Sequence, residues 1–364
     1  MVNFERPGGR PAAGRAISTA VDVALALVIV GAAAAVLATA GGGEPVDADR
    51  ADRAAESLAG TTVTVTYDLR AEDGDGRVAT DDPVYELPAG MEPAETGAHH
   101  RITTYGPATH VLGEAALANL RIGGERPFVY GHELERSAEA AVLGRLVGSG
   151  ERPYVVASWR PYEGASLGGT ATAGEHPPRT ADVSSATTTI DSGVPPVDAG
   201  TLAERFIEGE ERTTDRSGIE DGFDAVGEEI AAATVEGYFA PEPTQYALES
   251  TLTERAVVVY DYRRLADAAD ADLDGHVTGS TPDAVEANAA LVGDAGDDAG
   301  LAAVVAGDLR TGETGEEIRE TYESFGDGPL PPDAEAERRA ALEAAFEELV
   351  STETIDVTVQ TWEP

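Results

Sequence analysis

The hexapeptide "DADLDG" (Asp270 to Gly275) sets three carboxylates at alternate positions ahead of a glycine. Oxygen ligands so spaced, with a sixth-position glycine for a tight turn, suit a hard cation such as calcium. Asp270, Asp272 and Asp274 are therefore candidate metal ligands. Position eight of such a loop is apolar here (Val277), but position twelve is Thr281 and not the bidentate glutamate that closes the site. A related stretch, "AEDGDG" (Ala71 to Gly76), lacks the first aspartate, and a turn common to both explains the pattern without metal. The six histidines, His99, His100, His110, His132, His176 and His276, offer no His-Glu-x-x-His spacing. "IGGERP" and "SLGGTATAG" have neither the lysine nor the strand-to-helix setting of a phosphate loop and read as turns. No Gly-x-Ser-x-Gly elbow occurs. No catalytic constellation emerges, so the chain reads as non-enzymatic, with calcium the single candidate cofactor.

Charge is the strongest compositional signal. The formal net charge is −42, and all 25 basic residues are arginine. Self-repulsion of this size destabilises a compact state at low ionic strength, which points to a high-salt milieu. The carboxylates are spread along the chain with apolar periodicity between them, unlike a disordered acidic tail. No basic patch is expected, which excludes nucleic acid as a partner. Cysteine is absent, which removes disulfides, thiolate metal sites and a lipid-bearing cysteine anchor. None of the three asparagines lies in an Asn-x-Ser/Thr sequon. An acidic, lysine-free composition of this kind resembles that of haloarchaeal proteins.

Before any domain can fold outside a cell, the first forty residues must be placed. Val23 to Ala40 holds no charge, and at about 1.5 Å per residue it covers roughly 27 Å, close to a hydrocarbon core of about 30 Å. Eight aliphatic residues from Val23 to Leu37, at roughly −0.3 to −0.6 kcal/mol each, contribute about −2 to −5 kcal/mol to insertion. Arg6, Arg10 and Arg15 precede the run and Glu44, Asp47 and Asp49 follow it. The positive-inside rule then puts the N-terminus in the cytoplasm and the bulk outside. A cleaved secretory signal ending at "ATA" (Ala38 to Ala40) and a plain signal-anchor both fit this pattern.

A third reading rests on Arg15-Ala16-Ile17-Ser18. This junction resembles the short basic leader and following apolar helix of archaeal type IV pilins, in which the peptidase cuts before the helix. The resemblance implies processing between Ala16 and Ile17 by a prepilin peptidase. It also implies a partner role for pilus-like assembly proteins, and a minor or accessory place for this chain among them. Asp22 then falls about five residues into the mature stem, where pilins pair a carboxylate with a neighbouring subunit's terminal amine; a buried carboxylate does need such a partner. Thr19-Ala20-Val21-Asp22 stands where the common haloarchaeal form has Pro-Val-Ile-Gly. The chain as a whole looks like a member of the uncharacterised membrane-anchored families of haloarchaea.

The remainder contains short motifs that recur in order. "YDLR" (Tyr67 to Arg70) recurs as "YDYR" (Tyr260 to Arg263), "DGRV" (Asp75 to Val78) as "DGHV" (Asp274 to Val277), and "LRIG" (Leu120 to Gly123) as "LRTG" (Leu309 to Gly312). The segment 135–161 parallels 337–364, with Leu146, Val156, Trp159 and Pro161 falling on Leu349, Val359, Trp362 and Pro364. "TTVTVTYD" and "RAVVVYD" both read as strands. A helix with Leu342, Phe346 and Leu349 on one side leads into a strand carrying Ile355, Val357 and Val359 on one face. The expected fold class is α+β: a single transmembrane helix followed by two duplicated extracellular α+β domains. The boundaries are a basic leader at 1–16, the apolar helix at 17–43, copy one at 44–164, a linker with acidic helices at 165–250, and copy two at 251–364. Phe223, Val226 and Ile230 give the acidic helices an apolar face that needs a neighbour.

The charge reading makes a direct prediction. Raising potassium chloride from about 0.1 M to 1 M shortens the screening length from about 10 Å to 3 Å, and the melting temperature followed by circular dichroism should rise across that range. A melting temperature that stays flat or falls would remove the high-salt reading.

Overall fold

The computed structural model describes residues 49–69, 101–146, 152–211, 218–250, 253–273, 275–278, 281–297, 299–326 and 330–363. A short helix α1 (Asp49–Ala59) precedes an antiparallel ribbon of β1 (Thr62–Asp68) and β2 (Arg101–Pro107). Helices α2 (Ala108–Ala118) and α3 (Gly131–Leu146) lead into β3 (Arg152–Trp159), β4 (Gly169–Gly174) and β5 (Val183–Asp191). Then come α4 (Ala199–Glu210), α5 (Gly218–Tyr238), α6 (Pro241–Glu249), α7 (Thr253–Ala269) and α8 (Ala284–Val292). Helices α9 (Gly300–Thr311), α10 (Glu313–Glu323) and α11 (Pro332–Leu349) follow, and β6 (Thr354–Trp362) closes the chain. The described residues thus build an α+β fold of eleven helices and two sheets. No described helix is long and apolar enough to cross a membrane; segment 17–43 lies outside the described residues.

The larger sheet has the order β4-β3-β6-β5 and is antiparallel throughout. Alternation along each strand decides which face is covered. Val155 and Ala157 of β3, Val357 and Val359 of β6, and Ala171 of β4 are all fully buried. Helices α1, α2 and α3 lie over that face. Thr170, Thr187, Thr189 and Asp356 occupy the other parity and are exposed. Trp159 ends β3 on the buried side, where its Nε1 donates to the Thr352 carbonyl at 2.8 Å.

A helical layer completes the body. Asp198 caps α4 by accepting from the Thr201 amide at 2.7 Å. Pro332 opens α11 with Asp333 and Glu335 in its first turn, where carboxylates suit the positive end of the helix dipole. Phe206 of α4 is the hub: its ring meets Phe223, Tyr322 and Phe346 edge-on at 5.2, 5.5 and 6.4 Å between centroids. Phe223, Val226 and Ile230 are fully buried, and α5 finds its neighbours in α4 and α9.

Three features of the duplication reading are corrected. Tyr260 to Arg263 lies inside helix α7, whereas Tyr67 ends a strand, so the first recurring motif adopts two conformations. The strand reading of "RAVVVYD" fails because the chain runs on helically to Ala269, burying Ala256, Val259, Tyr260 and Ala266 at helical spacing. Val156 falls on the open face while Val359 is buried, so the alignment of these two residues is out of step by one strand position. Residues 48–364 form one unit, and β3 and β6 are neighbours in one sheet. What the two segments do share is order: a helix followed by a strand, α3–β3 and α11–β6.

Asp261 of α7 lies in an aromatic cluster. The Tyr130 hydroxyl donates to its Oδ1 at 3.0 Å, and Tyr130 stacks on Tyr67 and Phe128 at 5.9 Å. Burial pushes the Asp261 carboxyl from its ordinary 3.8 up to about 8, against the opposing effect of the Tyr130 hydrogen bond. Below pH about 4 the group is neutral in both folded and unfolded chain. Between about 4 and 8 the folded state holds a proton that the unfolded state releases, so stability falls as pH rises, by up to about 1.4 kcal/mol per pH unit. Asp261→Asn should flatten that slope, measured as unfolding midpoints at pH 5 and pH 8; an unchanged slope would remove Asp261 from the account.

Candidate functional site

A polar pocket forms where the C-terminus of α2, the N-terminus of α3 and the β3–β4 connection meet. Its placement begins with "LRIGGERP". Ile122 and Glu125 exchange both backbone hydrogen bonds at 3.0 Å around Gly123 and Gly124, whose φ values are 57° and 93°. Positive φ at both central positions is a type I′ turn, which glycine adopts without steric cost. The turn was expected from the sequence; what it carries was not. Arg121 and Arg126 flank the bonded pair, one on each arm, and both line the pocket. The Arg121 strand arm is fixed by reciprocal bonds with Gly168, N to O at 2.8 and 3.1 Å. Gly168 in turn lies against Arg160, so closely that an added Cβ would stand 2.8 Å from the Arg160 Cγ. Arg160 is the third guanidinium on the wall.

Two other glycines set how near the walls come. A Cβ on Gly169 would stand 2.0 Å from the Ala116 carbonyl oxygen, and one on Gly131 would stand 2.3 Å from that of Ala118. Only hydrogen there lets β4 and α3 approach the last turn of α2. The cavity that results is about 360 Å³.

Its polar groups are connected. Asn119, the residue that caps the C-terminus of α2, is buried at 7 % exposure. Its Nδ2 donates to Glu135 Oε2 at 2.9 Å and to the Thr170 carbonyl at 3.2 Å. Both neighbours are acceptors, which fixes the amide orientation and leaves Oδ1 without a partner among the described residues. Glu135 Oε1 accepts from the Thr172 amide at 2.8 Å and from the Thr172 hydroxyl at 3.1 Å. Glu139 accepts from the Gly174 amide at 3.1 Å. These carboxylates of α3 cover the outer edge of β4 by taking its free donors. His132 lies 3.8 Å from Glu135 through its Nδ1.

Electrostatically the pocket reverses the rest of the chain. Three arginines and a histidine face one carboxylate whose oxygens are already engaged. Arg121 donates to the Gly124 carbonyl at 3.1 Å. Neither Arg126 nor Arg160 makes an ion pair with a described residue, in a chain with 67 acidic side chains. Three arginines thus share one pocket wall in a chain that is acidic overall.

The residues singled out from the sequence lie elsewhere. Asp270 stands at φ 53° just past α7, and the Ala271 amide returns to the Ala266 carbonyl at 2.9 Å. That is a left-handed helix C-terminus, and it accounts for the conformation of Asp270 by helix termination. Asp272 is described, while Asp274 lies outside the described residues, as do Ala16, Ile17 and Asp22. Among the described residues no group of three or more acidic or histidine side chains could hold a metal ion. His276 pairs with Glu286 at 3.1 Å.

A family model described as a family of unknown function, DUF7284, matches residues 21–362. The chain belongs to the DUF7284 family. No curated protein and no solved structure matches it. The family match spans the pocket and every element that builds it.

Glu135 ties three donors to one side chain. Glu135→Ala should therefore destabilise the body by about 1–3 kcal/mol, because buried donors lose their acceptor. Glu139→Ala, which frees one donor, should cost less. Urea unfolding of the two variants in high salt checks this; equal losses would show that Glu135 does not organise the site.

Proposed function

We propose that this chain is a non-enzymatic protein of the outer cell surface, held in the membrane by its N-terminal segment and presenting residues 48–364 as a ligand-binding body. The binding part is carried by one observation: arginines without acidic partners among the described residues gather around a cavity in a chain of charge −42. Random placement in so acidic a sequence favours cation–carboxylate pairing, as with Arg205 and its neighbours Glu208, Glu228 and Glu229. The anchoring part is supported by the order of residues 6–49, basic, apolar, then acidic. A haloarchaeal origin accords with the lysine-free acidic composition. The shared helix–strand order of α3–β3 and α11–β6 is what supports an ancestral duplication.

A second reading makes the protein a minor or accessory subunit of an archaeal type IV pilus-like system. It is favoured by Arg15-Ala16-Ile17-Ser18 and by Asp22 placed early in the apolar run. In that reading a prepilin peptidase removes 1–16, and Asp22 pairs with a neighbouring subunit's new amine inside the membrane. The binding body and the pilin-like stem are compatible in one chain.

Mass spectrometry of the mature N-terminus, purified from native membranes, separates these readings. A start at Ile17 or Ser18 is the expected result for pilin-type processing, and Asp22→Ala should then reduce co-purification with assembly proteins. An intact N-terminus would leave a plain tether. A start near Gly41 would overturn the anchor and leave a secreted binder.

A further inference from the structure

The charge on the pocket wall limits what it takes. We propose that it binds a small polar dianion, a phosphate group or a pair of carboxylates on a compact molecule; this rests on the ligand-binding reading above and is independent of how the chain is anchored. The wall carries Arg121, Arg126 and Arg160 against one carboxylate, Glu135. With His132 counted neutral, the excess is two positive charges. Glu135 is also committed, one oxygen accepting from Thr172 and the other from Asn119. Nearby carboxylates are engaged or turned away. Asp308 accepts from the Ser166 amide at 2.8 Å and from the Tyr162 hydroxyl at 3.3 Å, Glu133 pairs with Arg136, and Glu125 is exposed; none of the three lines the cavity.

The medium makes the ligand's charge decisive. On the high-salt reading the screening length is about 3 Å, so carboxylates beyond contact range count for little, and chloride is present at molar concentration. A monoanion offers an arginine little that chloride does not already offer. A dianion can engage a second arginine of the same wall without bringing in a second molecule, and charge-assisted bonds to its oxygens are the stronger kind. Size and polarity narrow the class further. The cavity of about 360 Å³ is at the small end of the range for small-molecule sites, roughly 300–1,000 Å³. Among the described residues on its wall, only Ala165 and Gly168 are nonpolar, so aromatic or aliphatic bulk has no surface here to bury. Ser166 and Thr170 bring hydroxyls that donate or accept, which suits a polar remainder on the anion.

Isothermal titration of the full chain in non-ionic detergent tests this in about 1 M potassium chloride near pH 7.5, where a phosphate monoester, with its second pKa at about 6, is doubly charged. The probes are glycerol 3-phosphate, inorganic phosphate and succinate, with acetate and glycerol as the singly charged and neutral counterparts. The expected result is saturable binding of at least one dianion, at least tenfold tighter than acetate; the ranking of the three says whether a free phosphate, a phosphate ester or a dicarboxylate fits. That binding should weaken at least tenfold in the double variant Arg126→Gln/Arg160→Gln, whose circular dichroism and melting temperature should match wild type. Both arginines are outside the core, and Arg160→Gln alone gives a milder second variant should the double one unfold. Acetate or glycerol binding as tightly as every dianion would overturn the dianion and keep the ligand-binding body. Dianion binding unchanged in both variants would overturn this pocket as its site. Silence from all five probes would overturn the proposal and, because the binding reading is carried by these arginines, that reading with it.

Discussion

Val155 opposite Val359 and Ala157 opposite Val357 join strands about 200 residues apart in the chain, and the rest of the body is arranged around that junction. Closing a loop of that length costs about 5 kcal/mol of chain entropy, which local hydrogen bonds alone do not offset. The return comes from burial: with β3 and β6 paired, one apolar face spans four strands and can accept α1, α2 and α3 at once. Trp159 binds the two ends of this arrangement together, since its indole donates to Thr352 in the turn just before β6. The β3–β4 connection, which carries Arg160 and Gly168, starts from the same strand. The pocket is therefore downstream of a long-range pairing, even though most of its residues lie between 119 and 170.

Small residues do much of the remaining work. Helices α5 and α9 approach until an added Cβ on Gly227 would meet the Ala302 carbonyl at 2.9 Å and the Ala306 side chain at 3.0 Å. Buried alanines such as Ala302 and Ala306 leave little apolar area per residue, so stability comes from close contact over long helical faces more than from large side chains. Phe206 and its ring of aromatics are the exception that locks the layer. The acidic exterior then works against compactness unless salt screens it. At about 1 M salt the screening length is about 3 Å, so distant carboxylates neither hold the fold apart nor repel an incoming anion. Contacts inside the arginine pocket, at hydrogen-bond range, escape that screening. On the high-salt reading, the salt that screens the acidic surface leaves a local positive site able to act inside a strongly negative protein.

Much of the fold was legible where one period ran unbroken. The alternation in 62–67 and 355–359, and the helical faces containing Leu342 and Phe346 or Phe223 and Ile230, all appear where the pattern placed them. The strand reading of "RAVVVYD" failed because three consecutive valines favour a strand over a short window. The residues beyond Asp261 continue a helical spacing, with Leu265, Ala266 and Ala269 buried in register with Ala256, Val259 and Tyr260. Propensity was local, and packing decided. The β3–β6 pairing leaves no trace in composition, and only the order of elements hints at it.

The site was the least legible part, and the reason is physical. Arg121, Arg126 and Arg160 belong to no spacing motif; they converge because a type I′ turn folds back two of them and Gly168 brings the third alongside. The visible signal was the Gly-Gly pair itself, correctly read as a turn. A turn of that type has a further consequence that its sequence does state. It sets residues 121 and 126 on opposite arms, and both arginines at those places line the pocket. Arg121 donates to the Gly124 carbonyl of the turn itself, and no carboxylate among the described residues pairs with Arg126. Glu125 lies within the turn, but its backbone is committed to Ile122 and its side chain is exposed. With acidic partners so scarce among the described residues of a chain so rich in acid, these arginines are the feature on which the proposed ligand-binding role rests.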